Sequence, residues 1–390
     1  MLPLYLLSTV LMIGYAAVFT LLAQMRTTFG FSETALGVIA ASAFVAGFVA
    51  QIGLSRFADS GQGGLMMRLG LVMALLGAAW MCFAESLTAW VLARMMLGFG
   101  AGCVRPGLRR LAFILNPEHV GETLGRLAAW EMVGFLVGPV LSSVLFELAG
   151  FRAPFLMVAV LLLLLSPFVF KTEIPGSAEP MKNPMMKLIK RPAMQSCLAF
   201  AVAFYLAVGV FDAIWAVFIA DLGASQLFIG ITMSAFTLPM ILIAPWAGGF
   251  AARRHVLNLL TVTLSIATFA MFTYGFITSI WWMCVPLVIH AVVDAISMPA
   301  SQLAVGYASG ENALAAGQGL FGATGLIVAA IASIAGGYLY QQGGATVLWL
   351  VTSFSMLACI GFARWRGGQG EWDRPLHNQS GQQSTEPSTK

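Results

Sequence analysis

Apolar residues run in long, nearly uninterrupted blocks. Polar clusters, glycines and prolines divide the chain into segments near 3–24, 33–55, 64–84, 87–115, 123–148, 152–171, 193–220, 226–250, 256–278, 280–308, 313–341 and 345–365. Each block approaches or exceeds the ~20 residues an α-helix needs to cross the ~30 Å hydrocarbon core of a bilayer. Twelve transmembrane helices are predicted, with both termini on one side. The blocks do not alternate in period two over ~10 residues, so a closed β-barrel is excluded. The expected fold class is an all-α polytopic membrane protein.

Composition agrees with that reading. Of 390 residues, 59% are hydrophobic and 9% charged, with a mean hydropathy of +0.88, whereas a soluble domain carries about a quarter charged residues. The first block starts Met1-Leu2-Pro3-Leu4 with no basic residue and is long for a signal-peptide core, which predicts an uncleaved first span. Cys82, Cys103, Cys197, Cys284 and Cys359 lie inside apolar runs without a CxxC pair. They read as packing residues, and neither a disulfide framework, a metal site nor a cofactor is expected.

The net charge of +4 reports on topology rather than on nucleic acid. Seventeen basic residues fall on one side: Arg56, Arg68, Arg105, Arg109, Arg110, Arg126, Lys171, Lys182, Lys187, Lys190, Arg191, Arg253, Arg254, Arg364, Arg366, Arg374 and Lys390. Only Arg26 and Arg152 fall on the other, with Arg94 inside a span. The positive-inside rule then places both termini and the longest connection in the cytoplasm of a bacterial-type inner membrane. That connection, rich in proline, predicts a linker over 172–192 between bundles at 1–171 and 193–366, followed by a disordered tail over 367–390.

An offset of 193 residues aligns Gly30-Phe31-Ser32 with Gly223-Ala224-Ser225, Gly37 with Gly230, and Phe57-Ala58 with Phe250-Ala251. It also pairs Pro106 with Pro299 and Glu118 with Glu311. Two parallel six-helix repeats with a site between them near the midplane make a transporter plan. A channel would more often show a re-entrant filter loop or pore-lining rings in an oligomer.

Two motifs carry a resemblance. Leu92-Ala93-Arg94-Met95-Met96-Leu97-Gly98-Phe99-Gly100-Ala101-Gly102 is similar to the arginine-and-glycine motif of proton-coupled members of the major facilitator superfamily. Gly134-Phe135-Leu136-Val137-Gly138-Pro139-Val140-Leu141-Ser142-Ser143 is similar to the signature associated with its antiporters. With Phe211-Asp212 in the seventh span, the chain resembles the drug/proton antiporter branch and its quinolone-type multidrug exporters. The resemblance implies a monomeric secondary transporter, not an enzyme, that works by rocker-switch alternating access. It also implies a gating role for Asp59, in the loop after the second span.

The residues support this independently. Gly98, Gly134 and Gly138 permit close helix approach, and Pro139 frees a carbonyl on its own helix; gating and simple tight packing are both open readings. Burying Arg94 within a span costs at least ~2.5 kcal/mol, so it needs a partner among the intramembrane acids Glu131, Asp212 and Asp294. A desolvated carboxylate holds its proton more tightly than one in water, the condition for carrying a proton across. His290 and Asp294 are spaced i,i+4 and share a helix face, as a relay or a static pair. Tyr15, Phe204, Phe211, Trp215, Phe236 and Phe321 are candidate cavity walls for a lipophilic, often cationic solute. The predicted function is proton-coupled efflux. The alternatives are a dedicated metabolite or siderophore exporter and, from another class, a membrane sensor or polytopic enzyme.

Overall fold

Two helices at matching places in the repeat open on a serine that satisfies a free backbone amide. Ser32 Oγ accepts from Ala35 N–H at 3.3 Å and Ser225 Oγ from Phe228 N–H at 3.2 Å, the same cap displaced by the 193-residue offset. The structure, a computed structural model, describes residues 2–57, 62–115, 119–174, 185–310 and 313–370. Asp59, Glu118, Glu311, most of the proline-rich connection and the tail from 371 lie outside the described residues.

The first bundle comprises α1 (Leu2–Phe29), α2 (Glu33–Phe57), α3 (Gly63–Met81), α4 (Leu87–Leu115), α5 (Val120–Ala149) and α6 (Ala153–Phe170). A single short turn, α7 (Met185–Leu188), precedes the second. That bundle comprises α8 (Pro192–Asp221), α9 (Gln226–Leu242), α10 (Ala244–Ala252), α11 (Val256–Tyr274), α12 (Ile280–Ser309) and α13 (Leu314–Gly367). The starts of α2, α3 and α4 recur 193 residues later at α9, α11 and α12. Gly30 and Gly223, at the matching turns, both take the left-handed conformation, with φ of 70° and 90°, that suits glycine.

Ten described helices are long and apolar enough to span a bilayer, and the pair α9 and α10, bent by 57°, forms an eleventh span. α13 supplies two. As one helix its 54 residues would reach about 80 Å, more than twice the hydrocarbon core. Gly344, at φ 66° and ψ −167°, interrupts it, between the eleventh and twelfth spans predicted from the apolar blocks. The repeat is therefore twelve helices in two pseudo-symmetric bundles, and among the described residues the halves diverge where α9 and α10 break and α2 is continuous.

α1 and α8 are buried along most of their length at the centre. The periphery is apolar and exposed: Leu148 (79%), Phe83 (72%) and Trp281 (72%) face outward. Such a surface is stable against lipid tails rather than water.

Candidate functional site

Helix direction alternates, so the ends of α1, α5, α8 and α13 near Gly344 meet at one face, termed here the far face, opposite the terminal face. Hydrogen bonds between the bundles cluster towards the far face. Arg26 of α1 pairs with Glu33 at 3.2 Å and, across the bundles, with Asp221, which also accepts from Tyr340 OH at 2.7 Å. Thr34 Oγ1 donates to Gln341 Oε1 at 2.6 Å, and Gln226 Nε2 donates to Thr20 O and Ser143 Oγ, both at 3.1 Å. Glycines let the backbones meet there, Gly337 against the Glu33 carbonyl and Gly37 and Gly230 likewise across the bundles. A Cβ on Gly37 would strike the Ser333 carbonyl, and one on Gly230 would strike Ser143 and lie 2.7 Å from the Pro139 carbonyl oxygen.

Below this seal a cavity of about 400 Å³ separates the bundles. Its deep part carries Phe19, Phe211, Asp212, Phe236, His290 and Asp294. Its lower part carries Gln51, Arg105, Arg109, Glu131, Gln302 and Gln318, towards the terminal face. The polar residues come from helical stripes: on α12, His290, Asp294, Met298 and Gln302 recur every four positions and all face the cavity.

Among the predicted wall aromatics, Phe204, Phe211, Phe236 and Phe321 line the cavity. Phe211 and Phe236 stack with centroids 4.5 Å apart. Tyr15 and Trp215 stand behind the wall instead. Trp215 is fully buried, stacks on Phe211 at 4.7 Å and donates from Nε1 to Thr232 Oγ1 at 3.1 Å. That satisfies its N–H away from the cavity. Tyr15 lies beneath Arg94.

Arg94 is fully buried, and its partner is not a carboxylate in contact. Its Nη1 donates to Gly14 O at 3.3 Å, and its guanidinium lies 4.5 Å from the Tyr15 ring centroid and 4.6 Å from that of Phe19. Nε and Nη2 have no hydrogen-bond partner among the described residues. Of the three acids, Asp212 is the one within electrostatic reach of Arg94. Glu131 pairs at 3.2 Å with Arg105, which the sequence pattern assigns to the cytoplasmic side. Asp294 Oδ2 lies 3.4 Å from His290 Nε2, and His290 Nδ1 lies 3.2 Å from Tyr274 OH. The i,i+4 spacing thus brings its pair together, and Tyr274 extends it; no feature of the apolar run around Tyr274 marks it out.

The glycines divide by location. Gly134 and Gly138 pack against Thr9, Met12, Ile13 and Ala16 of α1, and Gly98 against Ala43 of α2, all within the first bundle. Pro139 reaches both the cavity and the seam with α9.

A family model of the Major Facilitator Superfamily matches residues 4–213 and again residues 196–386. The chain belongs to that superfamily. It is a multi-pass membrane protein. Multidrug resistance protein MdtG of Proteus mirabilis is 24% identical over 250 residues, covering 61% of this chain and 61% of its own length. The MFS-type transporter SLC18B1 of Mus musculus is 22% identical over 267 residues, 64% of this chain and 58% of its own. The synaptic vesicular amine transporter of Rattus norvegicus is 30% identical over 131 residues, 32% of this chain and 25% of its own. The chain matches about three fifths or less of the length of these relatives. Among solved structures, the nucleoside transporter NupG superposes with a TM-score of 0.77 at 17% identity, over 94% of this chain and 98% of its own. A bacterial homologue of the human lysosomal transporter Spinster, inward-facing and occupied, gives 0.76 at 15%, over 94% of each chain. At these identities the likeness shows the transporter's fold.

Proposed function

We propose that this transporter is a proton-coupled efflux antiporter for lipophilic, cationic small molecules in a bacterial-type inner membrane. Both termini and the cavity mouth face the cytoplasm. The observation that carries this reading is Asp212: a carboxylate on an aromatic cavity wall, without an ion pair among the described residues, with Arg94 behind it. An unpaired carboxylate can take a proton or a cationic solute, but not both at full strength. Proton entry from the outside then releases the solute, and proton loss to the cytoplasm restores its site. His290, bridging Tyr274 and Asp294, supplies a second place on the same wall to hold a proton. The printed names of MdtG and the vesicular amine transporter support a substrate of this class.

The bundles move as two bodies about the cavity, with the linker over 172–192 joining them. A proton crossing ~100 mV supplies ~2.3 kcal/mol, and one pH unit adds ~1.4 kcal/mol. Together these sustain a gradient of roughly a few hundred-fold for a neutral solute.

Asp212→Asn keeps size and hydrogen-bonding capacity but does not titrate. In proteoliposomes it is expected to abolish uphill export and solute-induced proton release while keeping downhill exchange. Parental accumulation ratios and proton release in this variant would remove Asp212 from the coupling step.

A further inference from the structure

The repeat makes the bundles alike in backbone and unlike in charge. At the 193-residue offset, Asp212 corresponds to Phe19, Arg109 to Gln302 and Arg105 to Met298, and all six line the cavity. The basic wall residues belong to the first bundle and the unpaired acid to the second. Arg105 is engaged by Glu131 at 3.2 Å, and Asp294 stands beside His290 at 3.4 Å. Two wall charges are left without an ion pair among the described residues: Asp212 and Arg109.

These two stand at opposite ends of the space. Asp212 lies nine positions from the far-face end of α8, and Arg109 six positions from the terminal-face end of α4. Fifteen positions, about 22 Å of helix axis, separate Arg109 from Arg94, the residue whose field Asp212 feels. α4 and α8 run in opposite directions, and side chains tilt towards the N-terminus of their own helix. Arg109 therefore leans deeper and Asp212 leans towards the mouth, which shortens the gap. Much of the remaining lining is aromatic and methionine side chains, Phe211, Phe236, Met233 and Met240 among them.

We infer that the cavity selects dipolar amphiphiles, with a cationic group for Asp212, an anionic group for Arg109 and an aromatic body between. This substrate class rests on the efflux reading of the same cavity. A planar guanidinium suits a carboxylate or phosphonate, which it can hold with two parallel hydrogen bonds. A solute held at both ends also ties a charged residue of one bundle to a charged residue of the other, so its binding bears on their relative position, whereas a simple cation engages only the charge of the second bundle.

The test uses three rigid probes on one scaffold: a para-linked piperazinyl-biphenyl carboxylic acid, its methyl ester and its N-acetyl derivative. These carry both charges, the cation alone and the anion alone. Binding is measured by titration calorimetry on the purified, full-length protein in detergent. The acid is expected to bind roughly tenfold or more tighter than either relative, the scale of one added charge-assisted contact. Arg109→Gln is expected to erase the preference of acid over ester, and Arg109→Lys to retain part of it. Equal binding of acid and ester, failure of the acid to bind, or a preference that survives Arg109→Gln would each overturn the inference. The two readings fail separately. Selective binding without proton release in liposomes counts against proton-coupled efflux alone. Proton release driven by the ester as readily as by the acid counts against the dipolar substrate alone.

Discussion

Arg94 combines complete burial with a single hydrogen bond among the described residues, to the Gly14 carbonyl, and two aromatic faces. A charge so poorly compensated is not there to stabilise the fold. Replacing a buried ionic group with an apolar one of similar volume is often neutral, or stabilising by about 1–4 kcal/mol. Arg94→Met is therefore expected to melt at or above the parental temperature while losing proton-coupled export, because Asp212 loses the fixed positive charge beside it. A variant that melts lower and transports normally would make Arg94 a structural residue. The need for a partner at Arg94 is legible in the chain, since an intramembrane arginine cannot be left bare. Its actual partners are not, because a backbone carbonyl and two ring faces carry no local signature.

At the level of helices, glycine positions with the same composition serve two different seams. Gly98 lies against the backbone of Ala43 inside one bundle, whereas Gly37 and Gly230 lie against Ser333 and Ser143 across the bundles. An added methyl group costs about 1–3 kcal/mol where packing is tight. Gly98→Ala should thus lower the melting temperature with the bundles' relation unchanged. Gly37→Ala and Gly230→Ala should instead weaken the far-face seam, because the bundles can part there without unfolding. The check is maleimide labelling of Thr20→Cys, a position buried between α1 and α9, in a background without the five native cysteines. Labelling is expected to rise severalfold with Gly37→Ala or Gly230→Ala and to stay low with Gly98→Ala. The reverse order would assign the between-bundle seam to the wrong glycines.

For the whole molecule, the far face is closed above the cavity between the bundles, and turnover by the proposed alternating access would require that face to open. Thr34 and Gln341, in contact across the far face at 2.6 Å, report on this directly. A paired Thr34→Cys, Gln341→Cys variant joined by a short methanethiosulfonate cross-linker is expected to stop transport, and reductant should restore it. Undiminished transport in the cross-linked protein would exclude far-face opening from the cycle. Orientation is testable apart from mechanism. A fluorescent protein fused after Lys390 should report a cytoplasmic location, given seventeen basic residues on the terminal side. A periplasmic C-terminus would reverse the direction assigned to the cavity mouth.

Span number and the internal repeat follow from the chain itself, and the sidedness proposed here rests on the chain alone. They depend on run length against bilayer thickness, on where lysine and arginine fall, and on turn residues such as Gly30 and Gly223, all local properties. The His290 and Asp294 pair is equally local, being one turn of one helix. What tertiary structure decided is how helices rotate and pair. Glu131 meets Arg105 rather than Arg94, Tyr15 and Trp215 fall behind the wall, and Tyr274 reaches His290 from a different helix. These outcomes depend on distances between helices, and in a chain apolar on nearly every face no period of hydrophobicity states which side faces a neighbour.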